Sequence, residues 1–287
     1  MRAVLKHELR NYFHSLTSWL FCAFLLLFVG IGAMLYNIQS AVANFEYVLR
    51  FICIGMVVIV PVLTMRSIAE ERKQKTDQLL YSLPLSAFEI VLGKYLAMLI
   101  IFLIPMLIIS VYPIIFAQFG DVYLPTCYGS LFAFFCMVAA LMAIGIFISS
   151  LTDNIGFVIG ISIPILLLNY YSVTLAEYVS SSVFGSMIAL FALVFLLGLL
   201  IKNVTGNENI SFYFTIAAIL ILGITCYVNQ SLFEGLLPNI MSKFSLFERF
   251  YDFVDGVFDL TSIVFFLTVI VFFLFLTVQS LEKRRYN

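Results

Sequence analysis

Charge is scarce in this chain. Lys and Arg total 15 and Asp and Glu 16 in 287 residues, or 11% charged. Soluble domains carry about 25%. Apolar residues fill the difference, at 63% hydrophobic with 31 Phe and a mean hydropathy of +1.11. Runs that long and that apolar cannot be hidden in one water-soluble core, so a soluble enzyme and a disordered chain are both excluded. A net charge of −1 leaves no global basic field for nucleic acid. Only two histidines occur, His7 and His14, both near the N-terminus, which excludes a Ser–His pair at membrane depth. The cysteines are odd in number (Cys22, Cys53, Cys127, Cys136 and Cys226), form no CxxC, and mostly lie in apolar runs. They read as small packing residues rather than as a disulfide framework or metal site.

Other motifs fail on inspection. His7-Glu8 starts like a zinc-protease HExxH, but Asn11 stands where the second ligand belongs. Gly93-Lys94 resembles the end of a phosphate loop, yet Phe88 replaces its first glycine and Tyr95 its Ser/Thr. The chain is therefore expected to have no ATP site and no enzymatic activity of its own. No GxSxG occurs, and Gly120-Asp121 lacks the setting of an intramembrane aspartyl protease. The sequons at Asn203, Asn209 and Asn229 are weak patterns. Polar groups expected at depth are neutral, among them Asn169, Tyr170, Tyr171 and Ser172, which argues against ion-coupled transport.

What the sequence does contain is an all-α polytopic membrane protein. A helix needs about twenty apolar residues to cross ~30 Å of hydrocarbon. Candidate runs fall near 17–37, 49–65, 95–117, 128–151, 155–175, 183–201, 211–228 and 261–280, giving six to eight spans with eight favoured. Charges spread over the N-terminus ahead of a run long enough to span, unlike a cleaved signal peptide. With both termini inside, twelve Lys and Arg fall on the cytoplasmic side, and only Arg50, Lys243 and Arg249 lie outside.

Three segments outside the spans stand out. In residues 1–16, Val4, Leu5, Leu9, Tyr12, Phe13 and Leu16 recur at helical spacing between Arg2, Lys6 and Arg10, as in a cytoplasmic interfacial helix. In the charged loop 66–94, Glu70, Glu71, Arg72, Lys73, Lys75 and Asp77 crowd one helix length, followed by Leu79, Leu80 and Tyr81 and then Pro84. A mixed-charge helix with an apolar tip suits docking in a groove of another protein, and equally a solvated interfacial loop. Ser86 with Glu89 forms a capping box before the next span. In 229–260, Phe244, Phe247, Tyr251, Val254 and Phe258 face one way and Glu248, Arg249, Asp252, Asp255 and Asp259 the other, which predicts a half-buried outer amphipathic helix before the last span.

The stretch 61–97 resembles the coupling-helix region of ABC type-2 transporter permeases, particularly the gliding-motility-type branch, the transmembrane subunits of type V ABC exporters. The features are the proline near the end of span two (Pro61), the Thr64-Met65-Arg66 exit, AEERKQ at 69–74, Ser82-Leu83-Pro84-Leu85, and Val91-Leu92-Gly93-Lys94 leading into span three. KHELRNYFHS at the start, AIGIFISSLTDN at 143–154 and the segment 247–285 follow in the family's order.

The resemblance implies the permease subunit of an ABC exporter, one transmembrane domain over 17–287 behind an interfacial helix at 1–16. Two permeases, the same or different chains, would form the pathway in the bacterial plasma membrane, with two copies of an ATP-binding subunit underneath. ATP and Mg would sit on that partner and no cofactor on this chain; membrane lipid would surround it, and no nucleic acid is implicated. Residues 68–82 would be the coupling helix, with Glu70, Glu71, Arg72, Lys73, Asp77, Leu79 and Leu80 meeting the ATPase. Asp153, beside Asn154, would make a secondary contact. Gly156 and Gly160 form a GxxxG, and Ala139 and Ala143 a similar face, for close helix packing or ordinary filling. The family usually has six spans, so 180–228 would be an insertion of two further crossings. A non-transporting scaffold or sensor relaying ATPase motion is the alternative.

Overall fold

A computed structural model describes residues 2–40, 42–76, 86–178 and 233–285, with scattered positions between 185 and 225. Helix is the only regular structure among the described residues. The chain divides into two compact units, 1–170 with 246–287, and 171–245.

The first unit opens with α1 (Arg2–His14) and α2 (Leu16–Gly32). Between them Ser15 is extended, and its Oγ accepts from the Thr17 N–H at 3.3 Å, starting the second helix. A π-helical stretch, Ala33–Gln39, completes span one. Then come α3 (Glu46–Thr64), short α4 (Ala69–Lys73), α5 (Ala87–Ile109), α6 (Tyr112–Phe116), α7 (Leu124–Leu151) and α8 (Ile155–Tyr170), and later α11 (Leu246–Val254) and α12 (Leu260–Arg285). Among the described residues, five segments are long and apolar enough to cross a membrane: Leu16–Gln39, Glu46–Lys73, Ala87–Phe116, Leu124–Leu151 and Leu260–Arg284. Counted as a single broken span, the bent pair Ile155–Tyr170 and Ser172–Tyr178 would make six. The expected runs 183–201 and 211–228 lie outside the described residues apart from scattered positions.

Helix α7 is the centre of this unit. In its most apolar window 83% of residues are buried, against 17% for Leu260–Arg284. Ala133, Ala139, Ala140 and Ala143 are all within the core, so the small face at Ala139 and Ala143 is filled by the chain's own helices. At Gly145 the approach of α3 is so close that a Cβ would fall 2.3 Å from Thr64 Oγ1 and 2.8 Å from Thr64 Cβ. The peripheral helices turn large apolar side chains such as Leu107, Val271 and Phe275 outward, the pattern expected where the solvent is lipid.

Three boundaries differ from the sequence expectation, the first being the helix expected over 68–82, which among the described residues runs only from Ala69 to Lys73 before Lys75 turns left-handed. Span three begins at Ala87 rather than near 95, because the Ser86–Glu89 capping box forms: Ser86 Oγ accepts from Glu89 N–H at 3.2 Å and Glu89 Oε2 from Ser86 N–H at 3.4 Å. Lys94 thus belongs to the helix, and the spans are not free of charge: Lys94 and Glu46 are 1% and 2% exposed. The 229–260 segment breaks at Ser245. In α11 the inward face is Leu246, Phe247, Phe250, Phe253 and Val254, while Phe244 and Phe258 are exposed and Tyr251 is half-buried. Spacing placed them on one stripe only because it carried a single helical register through the break.

In the second unit α9 (Ser172–Tyr178) and α10 (Leu236–Phe244) pack on each other. Gly235, at φ +66°, supplies the left-handed turn into α10.

Candidate coupling site

Position 94 organises the site. Lys94 Nζ donates to Glu8 Oε1 of α1 at 2.8 Å and to Glu71 Oε1 of α4 at 2.5 Å. The side chains of Lys94 and Glu8 are 2% and 6% exposed, and that of Glu71 is 24%. A lone buried ammonium is prohibitively costly, and two carboxylates at hydrogen-bond distance supply what water no longer does. One lysine thereby pins three segments far apart in sequence: the N-terminal helix, the short helix after span two, and the start of span three.

Its neighbour explains how α1 comes so near. A Cβ at Gly93 would sit 2.9 Å from Val4 Cγ1 and 3.2 Å from Val4 Cβ, so a glycine there lets α1 lie against α5. Val4, Glu8 and Tyr12 follow at four-residue intervals, form the buried stripe of α1, and bring the carboxylate to the lysine.

Helix α4 is held equally firmly to α7. Ser149 Oγ accepts from the Ile68 and Ala69 N–H groups at 3.3 and 3.0 Å, satisfying donors that a helix start leaves open, and donates to Met65 O at 3.3 Å. Arg72 is buried, and its Nη1 donates to the Ser150 carbonyl, which also accepts from Ser280 Oγ at 3.1 Å. A cation on the last carbonyls of α7 also complements that helix's negative end. The helix then stops: Lys75 takes a left-handed φ of 58° and Thr76 N–H bonds Glu71 O at 3.0 Å.

Beside the triad lies a cavity of about 540 Å³, lined by residues that include His7, Glu8, Tyr12, Arg66, Glu70 and Glu71. Burial, with Glu8 adding, pushes the Tyr12 phenol well above its ordinary pKa and keeps it protonated. Among the described residues no group of His, Cys, Asp and Glu is arranged to hold a metal ion.

The residues expected to meet a partner separate into two sets. Glu71 and Arg72 turn inward, to Lys94 and Ser150. Glu70 is half-buried, pairing with Arg66 at 3.6 Å, and Lys73 is exposed. Asp77, Leu79 and Leu80 lie outside the described residues. Asp153 is exposed in the α7–α8 turn, where Asn154 Oδ1 caps α8 by accepting from Gly156 and Phe157 N–H at 3.0 and 3.4 Å. Gly156 and Gly160 are exposed, and a Cβ at Gly160 would meet nothing within 4 Å, so neither serves packing inside this unit.

Sequence reasoning missed Glu8, Lys94, Ser149 and Ser150. Signals existed for two of them: Glu8 sits at i+4 from both Val4 and Tyr12 on an apolar stripe, and Lys94 falls past a capping box, inside a helix. Nothing in the local pattern marks the serines, whose partners in and beside α4 are about eighty residues away and whose partner Ser280 is 130 away.

The same segments carry the likeness to known proteins. A family model described as "ABC-2 family transporter protein" matches residues 2–176, more than half of the chain, including α1, the α4 turn, Lys94 and the serines of α7. No curated protein matches the chain. With a multi-pass helical fold and this match, the chain belongs to the ABC-2 transporter family, as a membrane permease subunit of an ABC transporter, and the family implies an ATP-binding partner.

Proposed function

We propose that the chain is the pathway-forming subunit of an ABC exporter of the gliding-motility type, with both termini in the cytoplasm of a bacterium and the plasma membrane as its site. Two permeases pair, and two ATP-binding subunits dock below them; ATP and Mg belong to those subunits, and this chain has no ATP site of its own. The observation that carries the mechanism is the Lys94–Glu8–Glu71 triad. A partner that pushes α4 pulls through Glu71 on Lys94 and through Lys94 on α1, while Ser149 and Arg72 pass the same displacement to α7. The four elements then move as one body, and ATP-driven closure of the partner tilts spans two, three and four together.

In this reading Glu70 and Lys73 meet the ATPase together with the segment 77–82, and Asp153 is a second contact. The exposed Gly156 and Gly160 on α8 face a second permease, and spans one, two and five line the pathway between the copies. The test is co-purification of the tagged full-length chain from native membranes in mild detergent. We expect a near-stoichiometric ATP-binding subunit, lost in Lys73→Glu and Glu70→Lys variants that still insert and purify normally. An unchanged complex with those variants would remove the coupling assignment, and absence of any ATPase across several detergents would remove the transporter reading. Crosslinks from cysteines at Gly156 and Gly160 that never join two copies would remove the pairing face.

A further inference from the structure

Span one and span three leave a groove near the N-terminal end of span one, and its cause is in the sequence. Pro105 lies inside α5 and has no N–H, so the Ile101 carbonyl loses its helical donor. It accepts instead from Cys22 Sγ of α2 at 3.8 Å. Around this break is a cavity of about 320 Å³ lined mainly by apolar groups, among them Phe13, Trp19, Cys22, Ala23, Ile104 and Ile108. Trp19, Ala23, Ile104 and Ile108 are exposed on helices long and apolar enough to cross a membrane. Trp19 Nε1 donates to the Phe13 carbonyl at 2.9 Å, which ties the ring to the end of α1 beside the start of span one, and tryptophan is enriched where such spans meet water.

One polar group breaks the apolar lining. Ser18 lines the groove, is 3% exposed, and its hydroxyl has no hydrogen-bond partner among the described residues. A buried hydroxyl left unpaired is costly, and an acceptor arriving with a ligand in the groove would satisfy it. Just outside, α1 carries Lys6 and Arg10, both exposed, at spacings from Phe13 that put all three on one stripe. The stripe spans about 10 Å of helix, at 1.5 Å per residue. Apolar slot, buried hydroxyl and basic stripe thus succeed one another along the direction in which a membrane lipid presents its chain, ester and phosphate.

We propose that this groove binds an anionic glycerophospholipid, with one acyl chain between spans one and three, its ester carbonyl on the Ser18 hydroxyl and its phosphate on Lys6 and Arg10. The ligand comes from the leaflet on the N-terminal side of the membrane. That this leaflet is the cytoplasmic one rests on the orientation proposed above; the groove does not. By holding α1 to spans one and three, the lipid fixes the helix that carries Glu8 into the triad.

Trp19 is the chain's sole tryptophan and lines the site, so its fluorescence reads occupancy directly. Full-length protein in dioleoyl phosphatidylcholine vesicles would be titrated with phosphatidylglycerol brominated on its acyl chains and, separately, with brominated phosphatidylcholine. We expect phosphatidylglycerol to quench at a lower mole fraction. A basic residue near an anionic surface is worth about fivefold in affinity, so Arg10→Gln should cut that preference about fivefold. Ala23→Phe, which fills the slot from an exposed position, should abolish it. Equal quenching by both lipids would overturn the proposal, and so would shielding of Trp19 from both, the result expected if a second copy covered the groove. Protease access to an N-terminal tag in sealed vesicles tests orientation separately: a tag on the outer face would overturn the orientation and leave a phosphatidylglycerol preference standing.

Discussion

Replacing Lys94 by Met keeps the length and apolar stem of the side chain and deletes only the charge, leaving Glu8 and Glu71 buried together. At an effective dielectric constant near 20, unit charges 2.8 Å apart, the Lys94–Glu8 distance, attract by about 6 kcal/mol before desolvation is subtracted. Removing one member of a buried pair costs about 3–5 kcal/mol, because the remaining ion loses its partner without regaining water. Lys94→Met should therefore lose about 3–5 kcal/mol. Glu8→Gln should cost more than Glu71→Gln, since the Glu8 side chain is 6% exposed and that of Glu71 24%. The triple variant Lys94→Met, Glu8→Gln, Glu71→Gln removes every charge of the triad and should recover most of the loss. SDS titration in mixed micelles, read by Trp19 fluorescence and by circular dichroism, measures all of these as a mutant cycle. ATPase stimulation in the reconstituted complex should stay impaired in the triple variant, because its stability returns without the joint. A Lys94→Met variant within about 0.5 kcal/mol of wild type, with α1 still docked, would refute the reasoning.

Further outcomes follow from other contacts. Gly145→Ala forces α7 away from Thr64 and should cost about 1–3 kcal/mol by overpacking; Thr64→Ala in the same chain should return only part, since a Cβ at 64 remains, and the same SDS titration decides. Ser149→Ala opens two donors at the start of α4 and should cost about 1 kcal/mol, seen as faster amide exchange at Ile68 and Ala69 with little change elsewhere. On α11, burial first and neighbouring carboxylates second raise the Glu248 and Asp252 carboxyls above their ordinary range. The folded state therefore holds their protons more tightly than the unfolded chain does. Their contribution is fully present below the ordinary carboxylate range and is lost as pH rises through the raised values. Protection factors for α11 should fall across that window, and Glu248→Gln with Asp252→Asn should flatten the dependence. Asp259 has the opposite sign: its carboxylate is held low by the Thr261 N–H and by further bonds from Thr261 and Ser262, so its contribution is lost as pH falls.

The helical segments were legible from the sequence because their physics is local. Apolar run length fixes a span, Ser86 and Glu89 fix a start, and the alternation in residues 2–14 fixes an amphipathic helix; each holds whatever the rest of the chain does. The family was legible for the same reason, since its motifs are contiguous strings. The tertiary structure alone decided which charges face inward. Glu70 and Glu71 are adjacent and chemically alike, yet one pairs with Arg66 near the surface and the other with a buried lysine. The capping box already places Lys94 in a helix, but its burial and pairing were decided only once Glu8 arrived from 86 residues away. A buried ion is tolerable only with a partner at hydrogen-bond distance, and the identity of that partner is a property of packing, which no local window of sequence contains.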